Sequence, residues 1–198
     1  MKMKTLFLLL ILLLSLLSFS SWGADLQKAF DAFNRGDYET TLREFTPLAE
    51  QGNAVAQLSL GTMYRNGQGV QQDDKTAVKW FSLAAEQGLF GAPWFLGNMY
   101  RHGLSVPQDY KTAVKWYTLD AEQGHLLAQF YLGEMYAKGQ GVPLENVRAH
   151  MWWAIAELSG HESASGNLEI VEGKMTSSQI GKAQKLAREC VVKNYKGG

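Results

Sequence analysis

Residues 60–88 read LGTMYRNGQGVQQDDKTAVKWFSLAAEQG, and residues 96–124 read LGNMYRHGLSVPQDYKTAVKWYTLDAEQG. Extended to a full period of 36, residues 53–88, 89–124 and 125–160 align without gaps, and the first two units are identical at 21 of 36 positions. Self-similarity at such a period is typical of repeat arrays, in which stacked units bury a core that no unit can bury alone. The sequence therefore predicts three copies of one structural unit.

The spacing of apolar residues predicts two helices in every unit. In the first unit, two successive sets of apolar residues have the spacing of one helix face: Ala56, Leu60, Met63 and Tyr64, followed by Ala77, Trp80, Phe81 and Ala84. No segment shows the alternation of a strand. The predicted fold class is therefore all-α, an α/α solenoid of helix-pair repeats.

Glycine and acidic residues predict where these helices end and begin. Gly67, Gly103 and Gly139 stand where the first helix of each unit would end in a left-handed turn. Asp73 and Asp109 are placed to cap the second helix, whereas the third unit has Glu145 there, which predicts a weaker cap.

Gly61, Gly97 and Gly133 lie inside the first helix of each unit, where glycine costs about 1 kcal/mol relative to alanine. A cost repeated in one column indicates close packing against a neighbouring helix, and we expect the bulky Trp80-type residue to be that neighbour. Phosphate-binding glycines follow a strand instead, so that function is not indicated.

These motifs resemble the Sel-1-like repeat family, a branch of the tetratricopeptide-like superhelices. Residues 60–70 match its pattern Leu-Gly-x-x-Tyr-x-x-Gly-x-Gly-Val, and residues 77–81 match its Ala-x-x-Trp-aromatic pattern. The resemblance is strong over residues 53–160 and loose over 24–52. It implies a right-handed α/α superhelix and an adaptor that binds another protein.

Two departures from the pattern concern the second unit. Ser105 replaces the second loop glycine, so we expect a reshaped loop before Pro107. Asp120 replaces an alanine, Ala84 in the first unit and Ala156 in the third, which places a carboxylate on a packing face or at its rim.

Six segments follow from these patterns. Residues 1–23 are a predicted signal peptide, 24–52 an N-terminal helix pair that is a degenerate repeat, and 161–198 C-terminal capping helices with a polar tail that we expect to be frayed. Repeats 1, 2 and 3 are residues 53–88, 89–124 and 125–160. Thr176 and Gln179 form a predicted capping box at the start of a last helix, which we expect to cover the open end of the stack.

An export signal is indicated by Lys2 and Lys4, an apolar run over residues 6–17, and small residues at Ser21 and Gly23. We expect cleavage between Gly23 and Ala24. The alternative is an uncleaved anchor, but this run is shorter than the ~20 residues of a membrane span. The predicted location is thus periplasmic or secreted, with no stable membrane span after cleavage.

Composition bears on the partner. The chain has 19 basic and 19 acidic residues of mixed order along the sequence, without the basic stripe of a nucleic-acid-binding protein. A single cysteine, Cys190, provides no internal disulfide framework. We expect it to be half-buried in a helix, with an intermolecular disulfide as the alternative.

No residue pattern predicts catalysis, a metal or a cofactor. His161-Glu162 starts like a zinc-protease motif, but Ser165 stands where the second histidine is required. The four histidines lack ligand spacing, and we expect them at the surface or at its rim. We therefore predict that the protein is not an enzyme.

Columns that vary between repeats are free to specify a partner. One stripe of the first helix varies, and we call it the variable stripe: Val55, Ser59, Thr62 and Asn66; Gly91, Phe95, Asn98 and His102; Leu127, Tyr131, Glu134 and Lys138. First helices line the concave face in superhelices of this kind, and stacked repeats bind partners there. Phe95 and Tyr131 occupy the same column of successive repeats, so we expect them to be adjacent on this face, as an aromatic pair of the kind enriched at binding hot spots. The predicted partner-binding residues are Thr62, Asn66, Phe95, Asn98, His102, Tyr131, Glu134 and Lys138.

The predicted function is a non-catalytic protein–protein interaction scaffold of the bacterial cell envelope whose partner is another protein or a peptide. Two alternatives stay open: an envelope enzyme or binder that acts on peptidoglycan or β-lactam-like substrates, and a secreted host-interaction factor. The β-lactam alternative is implied by cysteine-rich exported relatives of the family, which carry a disulfide in each repeat. In this chain Cys190 stands alone outside the repeats, so no residue supports that alternative.

Overall fold

The structure is a computed structural model that describes residue 23 and residues 25–195. The predicted signal peptide and its cleavage site thus lie almost entirely outside the described residues. The described part forms ten helices and no strand, which confirms the all-α class. The helices are α1 (25–34), α2 (Tyr38–Glu50), α3 (Ala54–Asn66), α4 (Asp74–Glu86), α5 (Ala92–His102), α6 (Tyr110–Ala121), α7 (Leu126–Lys138), α8 (Asn146–Leu158), α9 (Ala164–Glu172) and α10 (Ser177–Val192).

The described residues divide after Ala84 into two compact units, and the division falls within α4. From here on, the first and second units are these two parts of the molecule, and the helix pairs are called repeats 1, 2 and 3. The first unit has a core of small and large apolar side chains from α1, α2 and α3, among them Ala29, Phe45, Leu60 and Met63. The second unit contains α5 to α10 and has its own core, centred on Tyr117, Leu132 and Trp152. No helix of the described part is both long and apolar enough to cross a membrane.

The predicted helix caps are confirmed. The Asp109 carboxylate accepts hydrogen bonds from the backbone N–H groups of Lys111 and Thr112 at 2.9 and 3.1 Å, and Asp73 caps α4 in the same way. Glu145 makes no side-chain cap bond to α8. It pairs instead with Arg148, in the first turn of α8, at 3.1 Å.

The first helices end as expected at Gly67, Gly103 and Gly139, with φ angles of 66°, 67° and 64°. The expectation of a reshaped loop at Ser105 is wrong. Ser105 has φ 55°, close to the 72° of Gly69 in the equivalent column. The serine therefore accepts a left-handed conformation, in which a side chain is strained, and the loop keeps its course.

The helix-interior glycines are required by packing, but the neighbour differs from the expected one. A Cβ on Gly61 would lie 2.5 Å from Phe81, one on Gly97 2.6 Å from Tyr117, and one on Gly133 2.7 Å from Trp153. The residue after the Trp80 column is thus the one that covers the glycine. The reason is helix rotation: Phe81 is fully buried, whereas Trp80 is half-buried.

The end of the array also differs from the expectation. α9 packs against α7 and α8 as the first helix of a fourth repeat would, since Ala164 and Leu168 lie 36 residues after Ala128 and Leu132. α10, which does begin with the Thr176–Gln179 capping box, packs back against α8. α9, rather than α10, therefore follows the third helix pair in the repeat order.

The chain after α10 is held by packing at least as far as Tyr195. A Cβ on Gly124 would lie 3.0 Å from the Tyr195 ring, which packs on the core of the second unit. The expected frayed tail is thus wrong for Tyr195. Cys190 is 3% exposed, and burial raises the pKa of its thiol. The expectation of a half-buried cysteine is thus wrong, and the burial of Cys190 disfavours the intermolecular disulfide considered above.

Candidate functional site

The variable stripe continues beyond the three repeats. Asn167, Ile170 and Lys174 of the α9 segment stand 36 residues after Tyr131, Glu134 and Lys138. Sequence reasoning missed this extension, because α9 retains few of the repeated residues. The spacing of Ala164 and Leu168 from their counterparts was the available signal.

In the first unit, the stripe side chains bond mainly to their own helix. The Thr62 hydroxyl donates to the carbonyl of Leu58 at 3.0 Å, and the amide of the exposed Asn66 donates to Gln68 at 3.4 Å. These two residues therefore offer a small polar surface.

On α5, the three stripe positions have different surroundings. Asn98 is 8% exposed, and its amide donates to the carbonyl of Trp94 at 3.0 Å, so it offers little surface to a partner. Phe95 is half-buried and meets the Trp94 ring edge-on at 4.9 Å. His102 is exposed at the end of the helix.

Four side chains of α5 and α7 meet in what we call the Arg101 cluster: Arg101, Tyr131, Glu134 and Lys138. The Arg101 guanidinium donates to Glu134 at 2.7 Å and lies 4.7 Å above the centre of the Tyr131 ring. The other oxygen of Glu134 accepts from Lys138 at 3.4 Å. The structure thus brings together three predicted site residues through Arg101.

Arg101 is a site residue that sequence reasoning did not find. It shares its column with Arg65 in the first repeat, and a residue that repeats in this way looks like part of the common framework rather than of a partner-specific surface. The signal was the third repeat, where the same column holds Ala137.

Phe95 and Tyr131 each pack on another aromatic ring. Tyr131 stacks on Tyr117 at 5.8 Å with an interplanar angle of 19° and meets Phe130 edge-on. Tyr117 lies fully buried beneath it, and this burial raises the pKa of the Tyr117 phenol. Tyr131 is therefore held by its contacts with Tyr117 of the core and with Arg101.

A cavity of about 200 Å³ opens between α7, α8 and α9. Trp153, Val171 and Ala137 contribute apolar surface to it. The Trp153 indole N–H donates to the carbonyl of Phe130 at 3.1 Å, which orients the ring. The polar lining comes from stripe residues and their neighbours: Glu134, Lys138, Asn146, Asn167 and Lys174.

The expectation of surface or rim histidines is wrong for His150. It is 2% exposed, and its Nε2 lies 2.7 Å from a carboxylate oxygen of Glu172. The helix rotation places this side chain between α8 and α9, where a buried imidazole needs such a partner.

The other histidines lie at the rim or on the surface. His125 pairs with the buried carboxylate of Asp120, which also accepts the backbone N–H of Gly91 at 2.9 Å. The predicted carboxylate on a packing face is thus confirmed, and these two bonds satisfy it. His161 stacks on Phe130 with ring centres 4.0 Å apart.

The neighbourhood of His161 does not assemble a nucleophile. The hydroxyl of Ser165 donates to Glu157 at 2.6 Å rather than to the imidazole. Within residues 25–195, no three histidine, cysteine, aspartate or glutamate side chains are grouped as metal ligands would be. What the geometry does form is a candidate surface, made of the variable stripe and Arg101, with a cavity at one end.

Comparison with known proteins identifies the class. The model of the Sel1 repeat family matches residues 54–89, 93–125 and 126–161, and the chain belongs to this family. Members generally act as protein–protein interaction scaffolds and are typically non-catalytic. No curated protein sequence matches the chain significantly.

Two solved structures are similar. One is a Sel1 repeat protein from Oxalobacter formigenes, with 38% identity and a TM-score of 0.60, covering 65% of this chain and 96% of that one. The other is a protective antigen of uropathogenic Escherichia coli that displays the SLR fold, with 27% identity and a TM-score of 0.51. The match to the antigen covers 79% of this chain and 42% of the antigen, so this chain corresponds to less than half of its length.

Proposed function

We propose that this protein is an envelope scaffold that binds a partner protein on the first-helix face of its second unit, formed by α5, α7 and α9. The observation that carries the proposal is the contrast within each repeat. The columns around the stripe hold the same core residues, while the stripe itself changes from repeat to repeat. A surface that varies on an invariant framework is free to take the shape of a partner.

The composition of this face supports binding. Aromatic residues and arginine are the side chains most enriched at interface hot spots, and both are present in the Arg101 cluster. Because Tyr131 is held by contacts with Tyr117 and Arg101, little side-chain freedom would be lost when a partner contacts its remaining surface. Rigid anchors of this kind lower the entropic cost of association.

The envelope location of this proposal rests on the predicted signal peptide at residues 1–23. A protein of the same fold is a protective antigen of uropathogenic Escherichia coli, and this supports an exported location for the present chain. Export would place the scaffold in the periplasm or outside the cell. Protease protection in intact and osmotically shocked cells would distinguish these two compartments.

The test is site-specific photo-cross-linking in the native cell. A benzophenone side chain is placed at His102 or Lys138, which are exposed positions of the stripe. The matched controls are Lys111 and Lys115, which are exposed on α6. All four positions tolerate a new side chain, because none of them is buried.

We expect one partner to be cross-linked from both stripe positions and from neither α6 position. Its identity would follow from mass spectrometry of the adduct. Adducts from α6 alone, or none from either helix, would overturn the proposed binding face.

A further inference from the structure

We propose that the cavity between α7, α8 and α9 binds the carboxyl-terminal residue of the partner polypeptide, with an apolar side chain in the cavity and the terminal carboxylate at its lysine rim. This inference rests on the proposed function, since it names what one end of the binding face recognises.

The cavity exists because the third repeat departs from the second. The column that holds Arg101 in the second repeat holds Ala137 in the third. Ala137 leaves open the space beside Trp153 and Val171, where a long side chain in this column would lie. Ile170, which stands in the stripe column of Glu134, lines the same space and is 63% exposed.

The volume of the cavity limits what it can hold. A cavity of about 150 Å³ in another protein holds one benzene molecule, and this one measures about 200 Å³. It therefore has room for one side chain the size of leucine, isoleucine or methionine. It is too small for a typical small-molecule ligand, whose sites begin at about 300 Å³.

Three of the polar side chains around the cavity lack partners of their own. In the described part of the chain, no hydrogen bond or ion pair engages the side chains of Lys174, Asn146 and Asn167. Glu134, the acidic residue of the lining, already accepts from Arg101 and Lys138. The lining thus carries an excess of positive charge and two unused amide groups.

These two properties together select a chain terminus. An internal residue that places an apolar side chain in the cavity has no carboxylate of its own to offer the lysines at the rim. A terminal residue carries an apolar side chain and a carboxylate on the same Cα. The Asn146 and Asn167 amides, which can donate and accept, would then bond to the last peptide group.

The probe is a fluorescently labelled peptide of glycine and serine that ends in leucine with a free carboxylate. The comparison peptide is identical but amidated at the carboxyl terminus. Binding to the full mature chain is measured by fluorescence anisotropy. We expect the amidated peptide to bind about tenfold more weakly, the effect of losing one charge-assisted contact.

The variant that locates the contact is Lys174→Gln, with Lys182→Gln as a matched control on α10, where Lys182 is also exposed. Lys174→Gln should weaken the free-acid peptide about tenfold and leave the amidated one unchanged. Lys182→Gln should change neither. Neither lysine is buried, so both variants should fold, as circular dichroism would verify.

Three outcomes would overturn the inference: equal binding of the two peptides, no effect of Lys174→Gln, or no binding up to millimolar peptide. Stronger binding of a peptide ending in two D-alanines would also overturn it and indicate a cell-wall peptide instead. If the peptide assay fails but the stripe positions still give specific cross-links, the proposed binding face stands without the cavity site. Peptide binding without those cross-links would leave the cavity in place and remove the proposed face.

Discussion

Repeats 2 and 3 carry the same core columns and diverge where repeat 2 has Arg101 and repeat 3 has Ala137. Arg101 crosses to Glu134 and covers Tyr131, so the surface of repeat 2 is closed. Ala137 leaves a cavity beside Trp153. The comparison shows that the periodic residues build the framework, whereas a single departure from the period creates a site on it.

The largest expected effect comes from adding a methyl group at the glycine of each first helix. Gly97→Ala should lower the free energy of unfolding by about 2–3 kcal/mol, because the new Cβ meets the buried Tyr117 ring and overpacking has this cost. Gly133→Ala should cost about 1 kcal/mol less, because Trp153 borders the cavity and can move into it. Urea unfolding measures both.

The control for this pair is Gly181→Ala in α10, where a Cβ would meet nothing within 4 Å. This change should stabilise the protein by up to about 1 kcal/mol through helix propensity. Equal losses for Gly97→Ala and Gly133→Ala would contradict the idea that the cavity relieves repeat 3.

The next effect concerns the closed surface of repeat 2. Arg101→Ala should cost about 2 kcal/mol, between the values for exposed and buried ion pairs, because both side chains are mostly covered, at 14% and 19% exposure. A double-mutant cycle with Glu134→Gln isolates the coupling. A coupling energy near zero would mean that Arg101 acts through its packing on Tyr131 alone.

A smaller effect separates the two helix caps. Glu145→Asp should give α8 the cap that α6 already has and stabilise the protein by about 0.5 kcal/mol. The reverse change, Asp109→Glu, should destabilise it. Thermal unfolding of both variants tests the exchange, and a stabilising Asp109→Glu would show that the cap geometry is misassigned.

The Asp109 cap also predicts a pH dependence. The hydrogen bond from Thr112, above all, lowers the pKa of Asp109 in the folded protein. A carboxyl group whose pKa is lowered on folding makes its full contribution to stability at pH values above its pKa in the unfolded state. This contribution is lost as the pH falls through its pKa in the folded state. The difference between wild type and Asp109→Asn should therefore shrink below about pH 4, as measured by unfolding across acidic pH.

The smallest effect on stability is expected for Ala137→Arg, which restores the repeated residue in repeat 3. The free energy of unfolding should change by less than about 0.5 kcal/mol, as for a partly exposed substitution. Binding of the leucine-ending peptide should nevertheless be lost, because the arginine occupies the cavity. Retained binding in the anisotropy assay would show that the cavity is not the site.

Much of this fold follows from the sequence because its determinants are local and repeated. The caps at Asp73 and Asp109 and the left-handed glycines act within a few residues of themselves, so their patterns are readable. The sequence predicts Trp80 as the neighbour of Gly61, one residue before the actual neighbour, Phe81. The spacing of apolar residues identifies the packed face of the helix but not the small rotation that decides which ring lies on the glycine.

The candidate site was less predictable, for a physical reason. Arg101 bonds to Glu134, 33 residues away, and such a contact depends on how two helices pack. α9 keeps the apolar residues that its packing requires, such as Ala164 and Leu168. Its polar residues differ from those at the equivalent positions of repeats 1 to 3. The burial of His150 is not readable from the sequence, since its partner Glu172 lies on that same divergent helix.

The position of α9 also affects how the molecule could change its length. The cavity belongs to the last helix pair and α9, and repeat proteins gain or lose whole units without disturbing distant ones. Inserting a copy of residues 89–124 after Gly124 should therefore lengthen the binding face by one unit and leave the terminal cavity intact. The number of repeats would then act as a ruler that sets the distance along the partner between its anchored end and its furthest contact.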